Sequence, residues 1–315
     1  MTPQIFQGVE QHVPGMVIEA AWETVQEHEA DAIISFGGGS TIDLGKSVSF
    51  VAQHGLDALD SARELPAGGK EALAHLAVPT TYSGAEATGS FFVSQGQEKR
   101  RLRGAGVRPD LVVADPSMTL TLPWKPTAGT GLAAIAHCVE GLCSPSREDW
   151  TDSMAIRAAG TLFRLLPAVS ASPMRVRERA DVLAAAYVSG VVSDVAGTAL
   201  HGALCNGLGA RTGIPHGVAA AILLPHVMRF NLDAAHQGLA RFAEAIVARG
   251  PAEGADAVEA MTADLGLPRQ LREAGVFEED LEPVAAWAAE ESPEVADNPR
   301  PVTTEDALGI LRAAW

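Results

Sequence analysis

The chain has 315 residues, 47% hydrophobic and 5% aromatic, enough apolar content for the core of one large or two ordinary domains. Asp and Glu outnumber Lys and Arg by 39 to 23, a formal net charge of −16, which excludes the broad positive field that nucleic acid or anionic lipid requires. An anionic ligand must therefore be met by local groups. No apolar run reaches the roughly 18 residues of a membrane span. The three cysteines, Cys138, Cys143 and Cys205, show neither a disulfide framework nor zinc-finger spacing, and the opening residues, which lack a basic, apolar, small-residue pattern, give no expectation of a secretory leader. A cytoplasmic protein is expected.

The first part alternates helical and extended patterns, the mark of an α/β architecture. "VIEAAWETVQEHEA" places Val17, Ala20, Ala21 and Val25 at helical spacing. "DAIISF" is short and apolar and ends at glycine, so a buried strand is expected at 31–36. "STIDLGKSVSFVA" restores helical spacing, with Ser40 or Thr41 as the expected N-cap and Asp43 in the first turn. The triplet Gly37, Gly38 and Gly39 thus lies between a strand and a helix. A helix start offers unpaired amides and the positive end of a dipole, and glycines let a phosphate reach the backbone. The same triplet would also serve a tight turn with no ligand at all. Its spacing is neither that of the Rossmann fingerprint nor that of the nucleoside triphosphatase loop.

A second loop, "HLAVPTTYSGAEATGSFFV", runs from a strand into the hydroxyls Thr80, Thr81, Tyr82 and Ser83, which hold either a ligand or the local backbone. "SFFVSQGQEKRRLR" reads as a hairpin whose second strand carries Lys99, Arg100, Arg101 and Arg103. These charges suit a solvated edge strand, though one cation has room to face a ligand. "PDLVVADPSMTL" supplies another strand, ending at Asp115 and Pro116.

Beyond "TLPWKP" nearly everything reads as helix, which puts the domain boundary near residue 125, with domains at 1–125 and 126–315. "GLAAIAHCVEGLC" is apolar on almost every face and reads as a buried helix. "SMAIRAAGTLFRLLPAV" and "ERADVLAAAYVSGVVSDVAG" have the spacing of packed bundle helices. "PAEGADA" and "ESPEVADNPRP" read as loops. His137, His201 and His216 fall in apolar helical segments. Each alone suits a satisfied core residue, and together they point to a pocket.

Over nearly its whole length the chain resembles the iron-containing alcohol dehydrogenase superfamily, and within it the maleylacetate reductases. The resemblance rests on "GGGSTIDLGK", "PTTYSGAE", "LVVADPSMTLTLP", "GLAAIAHCVEGL", "ALHGALCNGLG", "IPHGVAAAILLPHVMRFN" and "NPRPVTTEDALGILRAAW", in the family's order. It implies a dehydroquinate synthase-like fold: an α/β N-terminal dinucleotide-binding domain, then an all-helical C-terminal domain, with the active site between them. It also implies NADH or NADPH as cofactor, with Gly38, Gly39 and Ser40 on the pyrophosphate, Asp43 ordering the loop, and Thr80, Thr81 and Lys99 near phosphate, ribose or nicotinamide. Tyr82 belongs to the reductase-like form of the second loop and would donate a hydrogen bond from the cofactor side.

The departures matter as much. Metal-dependent relatives use an aspartate four residues before the helix histidine; here Ala133 stands there, and a further ligand position falls at Gly202, one residue after His201. His137 and His216 alone are a poor first-row metal site, so no tightly bound catalytic metal is expected. Asn206 takes the place of a histidine usual in maleylacetate reductases. The implied reaction is metal-free reduction of the conjugated C=C of maleylacetate, or a related oxo-enedioate, to 3-oxoadipate in aromatic-compound degradation. A small dicarboxylate is then the partner molecule, His137, His201 and His216 are the proton donors, and a homodimer is expected. The alternatives are a non-reducing cyclase, lyase or inactive partner on the same scaffold, or a general iron-type alcohol dehydrogenase. Relatives carry a further β-α-β unit before the segment matching "FQGVEQHVP"; its absence would expose apolar sheet surface and an unpaired edge.

Overall fold

The structure is a computed structural model and describes residues 3–61, 72–96, 98–104 and 106–315. Helix α1 (Gly15–Glu27) leads into strand β1 (Ala32–Gly37), helix α2 (Gly39–His54) and the short α3 (Ala58–Ser61). Strand β2 (Ala74–Pro79), the hairpin strands β3 (Ser90–Gln95) and β4 (Glu98–Arg103), and β5 (Leu111–Val112) complete the α/β part. Strands β1, β2 and β5 form a parallel sheet in that order, with β1 and β2 in register from Ala32 opposite Ala74 to Gly37 opposite Pro79. Both strands therefore deliver their C-terminal ends, and the loops that follow, to one edge, where ligands of open parallel sheets bind.

One face of this sheet is covered and the other is bare. α2 packs on β1 and β2, whereas Ile34 and Phe36 are 67% and 60% exposed, and Leu111 and Val113 are exposed beside them. The expected buried strand is corrected to a half-buried one, because alternate residues of a strand point to opposite faces and, among the described residues, only one face has a partner.

The hairpin alternates as sharply. Phe91, Val93 and Leu102 enter a core with Val17, Ile18, Val48 and Phe50, where Phe50 meets Phe91 edge-on at 5.2 Å. The opposite face turns Lys99, Arg101 and Arg103 toward the helices. The solvated-edge reading of β4 is thus corrected for these three side chains.

The helical part runs α4 (Trp124–Cys143), α5 (Asp149–Ala171), α6 (Val176–Ala196), α7 (Leu200–Thr212), α8 (His216–Phe230), α9 (His236–Ala245), α10 (Pro251–Asp264), α11 (Leu281–Glu290) and α12 (Thr304–Ala314). The central α4 packs against α5, α6, α8 and α9. It approaches α8 so closely that a Cβ on Gly217 would lie 2.5 Å from the Gly129 backbone. "PAEGADA" is helix rather than loop: Pro251 starts α10 at a position where its missing N–H costs nothing. No single helix among the described residues is long and apolar enough to cross a membrane.

A close backbone approach and a polar clamp both join α6 to the α/β part. Gly84, at φ +71°, lets its loop press on α6, where a Cβ would lie 2.6 Å from the Ala186 carbonyl oxygen. The Asp194 carboxylate of α6 accepts from the Gly89 amide at 3.0 Å and from Arg103 at 2.9 Å, and it also pairs with Arg108.

Candidate functional site

Helix α2 begins at Gly39 with Gly38 as N-cap, so the expected Ser40 or Thr41 cap is corrected: these residues occupy the first turn. The N-cap has no side chain to satisfy the first amides, which leaves an uncapped positive helix end at the sheet edge. The second loop closes over it. The Thr80 amide donates to the Gly37 carbonyl at 2.9 Å, a Cβ on Gly38 would sit 2.9 Å from Thr81 Cγ2, and one on Gly39 would sit 3.1 Å from Ser83 Oγ. The Thr81 hydroxyl is buried there without a hydrogen-bond partner. An uncapped helix start beside an orphaned hydroxyl suits the oxygen atoms of a phosphate.

The polar residues behind this corner are structural. The buried Lys46 ammonium donates to the carbonyls of Ala85 and Ser90 and to the Thr88 hydroxyl, and lies 3.6 Å from Asp43. Burial raises the pKa of Asp43, against the pull of Lys46 and Lys99. Through Lys46 and the Phe92 backbone, Asp43 ties α2 to the hairpin, whereas the resemblance implied that it orders the glycine loop. Tyr82 is corrected too. It is fully buried in the helical core, where its hydroxyl accepts from Arg179 at 3.0 Å, so it offers the cofactor side no donor.

The histidines gather at the junction. His137 lies on α4 and His216 opens α8; each has a buried Nδ1 with no partner. Burial lowers His137 to about 4, Glu140 opposing and the His201 and Arg101 charges assisting. His216 is held well below its ordinary value by burial and then by Lys99, His137, His201 and His12. His201 behaves oppositely. Burial would lower it, but Cys205, 3.7 Å from Nε2, and Glu140, 3.8 Å from Nδ1, hold its pKa well above the usual range. Its Nε2 also faces the Ala220 carbonyl at 3.1 Å. Burial would raise Glu140, yet His201 and the Ala199 and Gly202 amides lower it, giving a buried ion pair.

Asn206 donates to Glu294 at 3.0 Å, and the same carboxyl accepts from Thr198 at 3.0 Å. Glu294 and Glu140 carry the network around the histidines, and sequence reasoning missed both because each comes from an ordinary helical or turn segment. His12 was missed as well. Its loop is held at φ 64° by a backbone that bonds to Ser94, and its ring fills the space a Gly209 side chain would take.

The donor set does not fit tightly bound iron. Ala133 contributes only a methyl to an apolar cluster, and a Cβ on Gly202 would already meet Thr198 at 3.0 Å and Glu140 at 3.5 Å. Among the described residues no group of three or more His, Cys, Asp or Glu side chains is placed to hold a metal ion.

An α/β domain with an anion-receptive corner, set against a helical domain that brings histidines to the junction, defines a class of two-domain oxidoreductases. The chain belongs to the iron-containing alcohol dehydrogenase family: the family's sequence profile matches residues 1–116 and the profile of its C-terminal domain matches 127–315. It is 32% identical over 98% of its length to the maleylacetate reductase of Pseudomonas knackmussii, of which 81% is covered, and 33% identical over 97% to maleylacetate reductase 1 of Cupriavidus pinatubonensis, of which 79% is covered. The crystal structure of maleylacetate reductase from Agrobacterium tumefaciens superposes with a TM-score of 0.81 at 30% identity, covering 98% of this chain and 81% of that one. A 1,3-propanediol oxidoreductase structure gives 0.93 at 27% identity, covering 99% and 84%. The chain is an oxidoreductase on this scaffold.

Proposed function

We propose that the protein reduces the conjugated C=C bond of maleylacetate, or a closely related oxo-enedioate, to 3-oxoadipate with NADH or NADPH. The observation that carries this reading is the uncapped start of α2, closed over by the buried, unpartnered Thr81 hydroxyl. The similarity to maleylacetate reductases supports the choice of substrate. When bound, the dinucleotide supplies the hydride.

The residues do the rest. The amides of Gly39 and Ser40 and the α2 dipole hold the pyrophosphate, with Thr80 and Thr81 beside it. An alkene conjugated to a ketone is already electron-poor, so the protein must stabilise a developing enolate and deliver a proton rather than polarise an inert carbonyl. His137 is suited to the proton transfer. Burial and neighbouring cations keep it neutral in the free protein, and a bound dianion favours its protonated form. The His201–Glu140 pair holds a proton and fixes the floor beneath it.

A fluorescence titration with NADH and NADPH, followed by maleylacetate-dependent oxidation and identification of 3-oxoadipate, tests the reading. Binding and turnover are expected, with Gly38→Val weakening the dinucleotide by on the order of tenfold or more, because its side chain collides with Thr81. Absence of binding by either nucleotide at millimolar concentration overturns it.

A further inference from the structure

Beneath the first turn of α2 lies a buried polar strut that the reaction does not use. Ser35 on β1 and His75 on β2 are 4% and 1% exposed, and Ser35 Oγ lies 2.8 Å from His75 Nε2 and 3.2 Å from the Thr41 carbonyl oxygen. A carbonyl oxygen only accepts, so the Ser35 hydroxyl donates to Thr41 and Nε2 of a neutral His75 donates to Ser35. The buried, unpartnered Nδ1 is then a lone pair, and no imidazole N–H is left orphaned. Burial, and then the Lys46 charge, lower His75 to about 4, Asp110 opposing, in keeping with a neutral ring.

The strut is anchored at one end and fitted at the other. The His75 amide donates to Asp110 Oδ2 at 2.9 Å and its carbonyl accepts from the Asp110 amide at 2.8 Å, which fixes the base of the ring beside the start of β5. At the helix, a Cβ on Gly45, one turn after Thr41, would collide with Ser35 Oγ and lie 2.7 Å from His75 Nε2, so glycine there admits the pair beneath α2. A capping side chain would steady the first turn but would also occupy the amides that the helix start presents. The cap residue Gly38 has no such side chain, and Ser35 instead holds the same turn through its Thr41 carbonyl.

We propose that Ser35 and His75 are positioning residues for the dinucleotide: through Thr41 they fix the first turn of α2 and so the aim of the Gly39 and Ser40 amides at the pyrophosphate. The inference rests on the reductase reading of the α2 start and adds two buried residues that lie behind those amides. Without the strut, binding must itself order the turn, so cofactor affinity falls while the handling of substrate does not.

The test measures NADH dissociation constants, steady-state constants for maleylacetate at saturating NADH, and deuterium exchange of residues 38–46. It compares the wild type with Ser35→Ala, His75→Leu, the double variant, and His75→Gln, whose amide donates in place of Nε2. Wild-type binding of NADH examines the reductase reading by itself. Given that binding, Ser35→Ala and His75→Leu are each expected to weaken NADH on the order of tenfold, and His75→Gln to recover much of the loss. The double variant is expected to bind no more weakly than the worse single one, because both residues act through one strut. KM for maleylacetate and kcat are expected to stay within about twofold. Exchange at 38–46 should quicken in ligand-free Ser35→Ala, with urea midpoints establishing that each variant folds. A pair that serves only stability would lower the urea midpoint and leave NADH affinity unchanged, which would overturn the proposal. Additive losses in the double variant, or a KM for maleylacetate that rises in parallel with the NADH constant, would overturn it equally. If the wild type binds no NADH, the reductase reading falls; unchanged exchange in Ser35→Ala would then overturn the anchoring of the turn as well, whereas faster exchange would uphold it.

Discussion

The two halves of the molecule are stabilised differently. In the helical half α4 is buried on nearly every side, and Leu132, Ile135 and Leu162 lose all contact with solvent. The α/β half keeps one sheet face bare at Ile34 and Phe36 and depends on polar struts, with Lys46 spanning the second loop and Asp194 clamping the hairpin. Close backbone approach around the glycines makes a ligand corner, whereas apolar burial makes the floor that carries the histidines.

The sharpest way to break this contrast is to truncate one leucine and one isoleucine. Leu132→Ala should cost about 2–5 kcal/mol by urea denaturation, since it empties a closed core position. Ile34→Ala should cost less than about 0.5 kcal/mol, because its side chain faces solvent. Equal costs would mean that the sheet face is covered in solution.

A smaller effect comes from pH. Burial lowers His12, His75 and His137 each to about 4 from 6.5. The unfolded chain therefore takes up these protons first, and stability present above pH 6.5 is lost as pH falls toward 4. Glu86 works in the other direction: burial raises it to about 6, so its protonation favours the fold between pH 6 and 4.5. His201, Asp43 and Glu294, whose pKa values the fold also raises, oppose the decline in the same way, so the clean reading is the change made by removing one histidine. His75 lies outside the site, bonded to Ser35 Oγ at 2.8 Å, so His75→Gln should flatten the decline by up to one proton, about 1.4 kcal/mol per pH unit. Urea midpoints at pH 7.5, 6 and 5 check this. An unchanged slope would show that His75 titrates normally in the folded chain.

Local patterning made much of the architecture legible. The strand–glycine–helix order, the hairpin and the helical second half all follow from periodicity and breaker residues. The misread details are those that depend on what lies across space. Whether β1 is buried on both faces depends on a partner layer, and whether Arg101 is solvated depends on Thr198, in the turn between α6 and α7. Tyr82 sits in a loop of hydroxyls, yet Arg179, 97 positions later, turns it into the core. His137 and His216 were visible as polar residues in apolar helices. Glu140, Glu294 and His12 carried no such contrast, and only tertiary packing brings them to the same junction.

The most direct test is NADH oxidation with maleylacetate before and after exhaustive chelation and dialysis. The account predicts turnover that survives chelation and is not raised by added ferrous or zinc ions, because Ala133 and Gly202 leave the site short of ligands. Activity that vanishes with chelation and returns only with metal would contradict it.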